Sequence, residues 1–156
     1  TDRQQLWEAL LDDRFDVIAT DHAPHTLEEK DNPYTSAPSG GPLVQHALLA
    51  MLQKEKEGII SLEKIVEKMC HNPAKLFDID RRGFIREGYY ADLVQVNQSS
   101  KNEVKKANLF YKCGWSPFEG VTFDSEVKRT FVNGLLAYEN GNFSAEKKAR
   151  RLTFNR

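Results

Sequence analysis

The chain is 156 residues long, 40% hydrophobic and 29% charged with a formal net charge of −1, the profile of a globular protein of one domain or of a small domain joined to part of another. Near-neutral charge removes the electrostatic case for nucleic acid or an anionic membrane as partner. No apolar run approaches the roughly 18 residues that cross a bilayer, and the opening TDRQQLWEALL lacks the basic-then-apolar order of a signal peptide, so a cytoplasmic location is expected.

In chain order, Asp2 is placed to cap a first helix whose apolar positions Leu6, Trp7, Leu10 and Leu11 fall at helical spacing, and Asp12, Asp13 and Arg14 break the pattern. Phe15 to Thr20 follows at once, a short apolar segment in which β-branched Val17 and Ile18 predict a buried strand. A helix that passes directly into a buried strand reads as a late part of an α/β protein whose earlier units are absent. From Thr26 to Gly41 the sequence is polar and punctuated by Pro33, Pro38, Gly40 and Gly41; a stretch of 16 residues without periodicity is long for a connection and points to a functional loop. Pro42 suits the first turn of a helix to about Lys54, with Leu43, Val44, Ala47, Leu48, Met51 and Leu52 on its packed face. Ser61 caps another that carries Leu62, Ile65, Val66 and Met69 inward, with Glu63 near its positive end. Asn72 as cap and Pro73 as first residue open a third, through Ala74, Leu76 and Phe77.

Beyond Phe77 the period changes. Phe84 to Gly88 reads as a turn region and Ala91 to Val96 as a strand covered over most of its length. Glu126 to Val132 and Leu135 to Tyr138 are the arms of a hairpin about Asn133 and Gly134, because a type I′ turn needs positive φ at both central residues. The tail holds EKKARR, residues 146–151, read as a solvated basic stretch with Leu152 and Phe154 docking beyond it. Cys70 and Cys113 stand far apart with no second thiol near either, which argues against a disulfide framework or a four-thiolate zinc site and for small buried side chains.

The chemistry concentrates in FDVIATDHAPH, residues 15–25, where the expected strand runs straight into a carboxylate and two imidazoles. In parallel α/β structures the C-terminal strand ends form the rim where loops meet ligand, and Asp21 sits one residue past that end. Three roles suit it: metal ligand, general base, or side-chain cap of the next turn. His22 and His25 lie within four residues and Pro24 restricts the backbone between them, which weights the balance toward metal-assisted proton transfer. As a zinc site the set is incomplete, since catalytic zinc takes about three protein ligands and nothing else in the chain clusters His, Asp and Glu at suitable spacing. His46, on an otherwise apolar helix face, and His71, at a helix end, read as packed or capping histidines.

These residues carry a resemblance. FDVIATDHAPHTLEEK resembles the last barrel strand of the dihydroorotases, members of the amidohydrolase superfamily. HNPAKLFDI with GFIREGYYADLVQV resembles their passage from barrel to small β domain, and GWSPFEG with VKRTFVNGLLAY resembles their C-terminal strands. The resemblance covers nearly all of the chain and implies an α/β architecture: the last strand and helices of a (β/α)8 barrel in residues 1–80, and part of a small β-sandwich with a C-terminal tail in residues 81–156. It implies that Asp21 ligates zinc in a mono- or binuclear centre, takes a proton from the attacking water and hands it to the departing ring nitrogen, serving as base and then as acid. It implies that His25 binds the substrate carboxylate, and that the Ala37-Pro38-Ser39-Gly40 loop holds a dihydropyrimidine ring through backbone groups, with Pro38 and Gly40 in contact. Ser39, Gly41 and Pro42 depart from the bulkier apolar residues usual there, and His22 is assigned to orienting Asp21.

The implied function is zinc-dependent hydrolysis of a cyclic amide, the reversible interconversion of N-carbamoyl-L-aspartate and L-dihydroorotate in pyrimidine biosynthesis. The family's His-x-His pair, its bridging carboxylated Lys or Asp and two later metal-binding His belong before Thr1. The chain alone is therefore expected to be inactive, to hold zinc weakly or not at all, and to pair either with a missing N-terminal barrel portion or with copies of itself. Three other readings stand beside this one. Hydantoinases and allantoinases act on rings that lack the carboxylate His25 would hold; a noncatalytic dihydroorotase-like subunit would serve assembly; and a helical and hairpin interaction module would be complete in itself.

Overall fold

The computed structural model describes residues 1–145 and 149–155. Its helices are α1 (Asp2–Leu11), α2 (Leu27–Lys30), α3 (Ala47–Lys56), α4 (Leu62–Val66) and α5 (Asn72–Leu76), and its strands are β1 (Leu93–Asn97), β2 (Asn102–Glu103), β3 (Thr122–Phe123), β4 (Glu126–Val132), β5 (Leu135–Glu139) and β6 (Asn142–Phe143). The chain forms two compact units, each drawn from separate stretches: Thr1–Ile18, Lys54–Asn97 and Val127–Arg156 make one, and Ala19–Gln53 with Gln98–Glu126 make the other. No helix among the described residues is long and apolar enough to cross a membrane.

In the first unit α1 buries Ala9 and Leu10 and leaves Leu6 and Leu11 exposed. Thr1 rather than Asp2 holds the cap position, and Asp2 lies in the first turn, where a carboxylate suits the positive helix end. Phe15 to Thr20, expected as a buried strand, belongs to no sheet among the described residues. Helix groups satisfy its backbone instead: Ile18 N–H donates to the Lys68 carbonyl at 3.1 Å, Lys68 Nζ donates to the Phe15 carbonyl at 2.5 Å, and Asn72 Nδ2 to that of Asp16 at 2.8 Å. Asp13, left-handed at φ 66°, pairs with Lys64 and Lys68 at 2.8 Å each, although Lys68 is only 1% exposed.

The helix that supplies those groups is continuous from α4 to α5 through one π-turn, Glu67–His71. Ser61 caps it as expected, accepting from Lys64 N–H at 3.2 Å. Asn72 is not a cap, for its φ of −67° and ψ of −40° are helical. The reason is Pro73, which lacks the N–H for the carbonyl four residues back; a widened turn lets the helix run through it. Ile65, Lys68 and Ala74 are its buried positions, while Leu62, Val66, Leu76 and Phe77 are exposed, so the inward face is offset from the apolar stripe. Cys70, on the π-turn, is exposed rather than buried. His71 stacks on Phe84 at 4.3 Å, a packed histidine as read.

A four-stranded sheet in the order β1-β4-β5-β6 completes this unit. Val132 pairs with Leu135 across Asn133 at φ 52° and Gly134 at φ 80°, the expected hairpin. Asn140 and Gly141 repeat that turn chemistry between β5 and β6, which sequence patterning missed because β6 is two residues long. Leu93 and Val94 of β1, expected to be covered, are exposed. The tail docks through backbone: Asp80 N–H donates to the Thr153 carbonyl at 2.9 Å and Asn155 N–H to that of Asp78 at 2.8 Å, while Leu152 and Phe154 stay exposed. Of the basic stretch at 146–151, residues 146–148 lie outside those described.

The second unit is built on α3 and the antiparallel pair β2 and β3, with Asn102 opposite Phe123. Its buried line is Pro42, His46, Leu49 and Leu52, joined by Val104 and Phe123, whereas Val44 is exposed. The packed face is thus rotated toward His46 because aromatic rings receive it: Tyr111, Phe118 and Phe123 stand 5.9, 6.0 and 6.2 Å from the imidazole.

Candidate active site

The second unit gathers Asp21, His22, His25, Pro38 and Gly40 onto two strands of chain that lie side by side. His22 bridges Gly41 in parallel fashion and Ala23 N–H donates to the Gly41 carbonyl at 3.1 Å. Gly40 at φ 87° is where the approach is tightest, since a Cβ there would lie 2.7 Å from Ala23 Cβ and 3.9 Å from the Asp21 carbonyl. Gly40's freedom, expected to allow close approach of a ligand, serves first the approach to Ala23.

Asp21 is exposed and holds a left-handed φ of 43°. Asp tolerates this region better than most residues, but the conformation is costly and concentrates at functional positions. Its neighbour His22 is oriented by backbone: Nδ1 accepts from Leu43 N–H at 3.1 Å and Val44 N–H at 3.4 Å, which leaves the proton on Nε2. The sequence reading did not find this cap on the turn before α3.

His25 is held at three points. Its N–H donates to the Ala23 carbonyl at 2.9 Å, its carbonyl accepts from Trp115 Nε1 at 2.8 Å, and Nδ1 stands 3.6 Å from Glu29 Oε2. Glu29 closes a capping box, its Oε2 accepting from Thr26 N–H at 2.7 Å while Thr26 Oγ1 accepts from Glu29 N–H at 3.2 Å. The Thr26 N–H and then its hydroxyl hold the Glu29 carboxyl below its ordinary value, with the His25 imidazole adding to the effect. Thr26-Leu27-Glu28-Glu29 is the sequence signature of this box, so α2 was legible inside the supposedly aperiodic loop.

Two further side chains, absent from the sequence reading, shape the rim. Lys30 Nζ donates to the Pro38 carbonyl at 2.6 Å and to the Gly40 carbonyl at 3.0 Å. Tyr111 OH accepts from Gln45 N–H at 2.8 Å, and Gln45 in turn reaches the Asn108 carbonyl and the Phe110 N–H at 2.8 Å each. Burial raises the Tyr111 phenol and lowers the His46 imidazole from their ordinary values.

Among the described residues no group of three or more His, Cys, Asp or Glu is placed to hold a metal ion. Asp21 offers one carboxylate, His22 Nδ1 is occupied by backbone and His25 Nδ1 faces Glu29. These donors by themselves do not fit a zinc site.

The fold is a portion of the α/β amidohydrolase fold, with the Asp-His-Ala-Pro-His segment and the loop folded back on it in one unit. The amidohydrolase family model matches residues 1–137, and the chain belongs to that family, whose members are generally metal-dependent. The dihydroorotase of Halobacterium salinarum is 43% identical over 143 residues, 92% of this chain and 34% of the relative. That of Clostridium acetobutylicum is 40% identical over 140 residues, 89% of this chain and 33% of the relative. Among solved structures, the L-hydantoinase (dihydropyrimidinase) of Arthrobacter aurescens superposes with a TM-score of 0.82 at 31% identity, covering 90% of this chain and 32% of its own. A D-hydantoinase from Thermus sp. gives 0.82 at 26% identity, covering 93% and 33%. The chain spans about a third of the length of the curated relatives it matches, and its fold is that portion of the α/β amidohydrolase fold.

Proposed function

We propose that this chain is the C-terminal part of a zinc-dependent dihydroorotase, a cytoplasmic enzyme that interconverts N-carbamoyl-L-aspartate and L-dihydroorotate in pyrimidine biosynthesis. In this reading residues 1–80 belong to the barrel and 81–156 to the small β-sandwich with its tail. The remaining barrel, or failing that a second copy, accompanies it. The partner is a small molecule, with no nucleic acid or membrane. The observation that carries the reading is the convergence of Asp21, His25 and the Pro38–Gly40 backbone in one unit.

Asp21 takes the proton of the attacking water and returns it to the leaving nitrogen, so one carboxylate serves both halves of the exchange. Zinc would be held by Asp21 together with ligands from outside this chain, and would supply Lewis acidity at the scissile carbonyl. His25 presents Nε2 to the substrate carboxylate, because Nδ1 already faces Glu29. His22 orients Asp21 by anchoring the next residue of the backbone to the Leu43 and Val44 amides. Pro38 and Gly40 hold the ring.

A hydantoinase reading is favoured by the solved structures alone. The full-length protein separates the two: turnover of L-dihydroorotate well above that of hydantoin supports dihydroorotase, and the reverse ratio defeats it. Asp21→Asn, which keeps tolerance of positive φ, should lower kcat by about 10²–10⁴.

A further inference from the structure

Pro38 and Gly40 contribute to this site through their backbones, so something must fix where that backbone lies. Residues 26–41 form a loop whose near end is stiff: the Thr26–Glu29 box starts α2, and Asn32 Nδ2 donates to the Glu28 and Glu29 carbonyls at 3.3 and 2.9 Å. Its far end rests on Ala23 through Gly40. Lys30 joins the two ends. Its ammonium, the part-buried tip of the last residue of α2, reaches across eight and ten positions to the two carbonyls that flank Ser39. An ammonium has three donors radiating from one atom, and two converging carbonyl acceptors are what such a group satisfies. Among the described residues no carboxylate lies within ion-pairing distance of it, so these carbonyls are its polar partners here.

We propose that Lys30 is a positioning residue for substrate: it clamps the Pro38 and Gly40 carbonyls and thereby sets the backbone against which the substrate ring is held. The inference rests on the reading of Pro38 and Gly40 as ring-binding residues. Lys30 touches no reacting atom, so its loss affects binding rather than the chemical step.

The test uses the full-length protein with Lys30→Met, which keeps the aliphatic stem, and Lys30→Arg, which restores donors. Two quantities are read: amide hydrogen exchange over residues 37–41, and KM and kcat with L-dihydroorotate. Lys30→Met should speed exchange there and raise KM about tenfold with kcat within about twofold, and Lys30→Arg should recover most of both. Unchanged exchange in Lys30→Met overturns the clamp and leaves the dihydroorotase reading intact. Faster exchange with unchanged KM overturns the proposal through its premise, because the loop then does not hold substrate. A fall in kcat at unchanged KM also overturns it, since a positioning role does not act there.

Discussion

Gly40 lies against Ala23 so closely that a Cβ on the glycine would stand 2.7 Å from the alanine Cβ, and its φ of 87° is one that side chains rarely adopt. Both conditions act on the same residue, so no small movement relieves them together. Gly40→Ala should destabilise the chain by about 1–3 kcal/mol and, on the proposed function, raise KM of the full-length protein, because the loop must leave Ala23 to make room. Urea denaturation and steady-state kinetics check the two halves; an unaltered denaturation midpoint would show that the loop shifts without cost.

Trp115 ties His25 to a distant segment through one hydrogen bond, Nε1 to the His25 carbonyl at 2.8 Å, and its ring also stands 3.6 Å from where a Gly41 Cβ would be. Trp115→Phe keeps most of the ring and removes the donor. A part-buried carbonyl without its partner costs about 1 kcal/mol, and the His25 backbone is freed. The expected result is a modest loss of stability together with, on the proposed function, a rise in KM of the full-length protein for L-dihydroorotate. If His25 holds the substrate carboxylate as proposed, turnover of a ring substrate without a carboxylate should change much less.

How much of this was visible beforehand follows the range of each interaction. Asn133-Gly134 announced its hairpin because the turn is fixed by the φ of two adjacent residues. Asp21, His22 and His25 stood out because a reactive cluster occupied a few consecutive positions after an apolar run. Lys30 and Trp115 act across 10 and 90 positions, and no local pattern announces such a partner. Lys68 is the plainest failure: an apolar stripe marks where hydrophobic residues face, yet the helix buries a lysine because Asp13 and the Phe15 carbonyl receive its ammonium. Phe15 to Thr20 has strand composition but no ladder here, since a strand is made by its neighbours and not by its own residues.

His46 makes the second unit sensitive to mild acid. The imidazole is 2% exposed among Tyr111, Phe118 and Phe123, and burial lowers it from the ordinary 6.5. Between the folded and unfolded values the unfolded chain binds more protons, so stability is full above 6.5 and is lost as pH falls through the lowered folded value. Urea midpoints at about pH 7.5 and about pH 5 should differ in that sense, and His46→Leu should shrink the difference by its own share. Equal shifts in both proteins would assign the dependence to other groups.

Asp13 sets a second limit, in strong acid and in the first unit. Hydrogen bonds from Lys64, and then from Lys68, hold its carboxyl at about 2 against an ordinary 3.8. A carboxyl depressed by folding stabilises the folded state fully above its unfolded value, and that contribution is lost as pH falls from 3.8 through about 2. Asp13→Asn tolerates the same left-handed φ of 66° and keeps a hydrogen-bonding oxygen, so it removes charge and little else. The variant should be less stable than the parent at neutral pH, because Lys68, 1% exposed, then has only the neutral Phe15 carbonyl and an amide to receive its ammonium. The gap should close as pH falls from 3.8 through about 2, where the parent's own folded carboxyl gains its proton. Denaturant midpoints of the two proteins followed down the acid limb decide the matter: a gap that persists at the lowest pH would mean that Asp13 acts through shape and not through its charge.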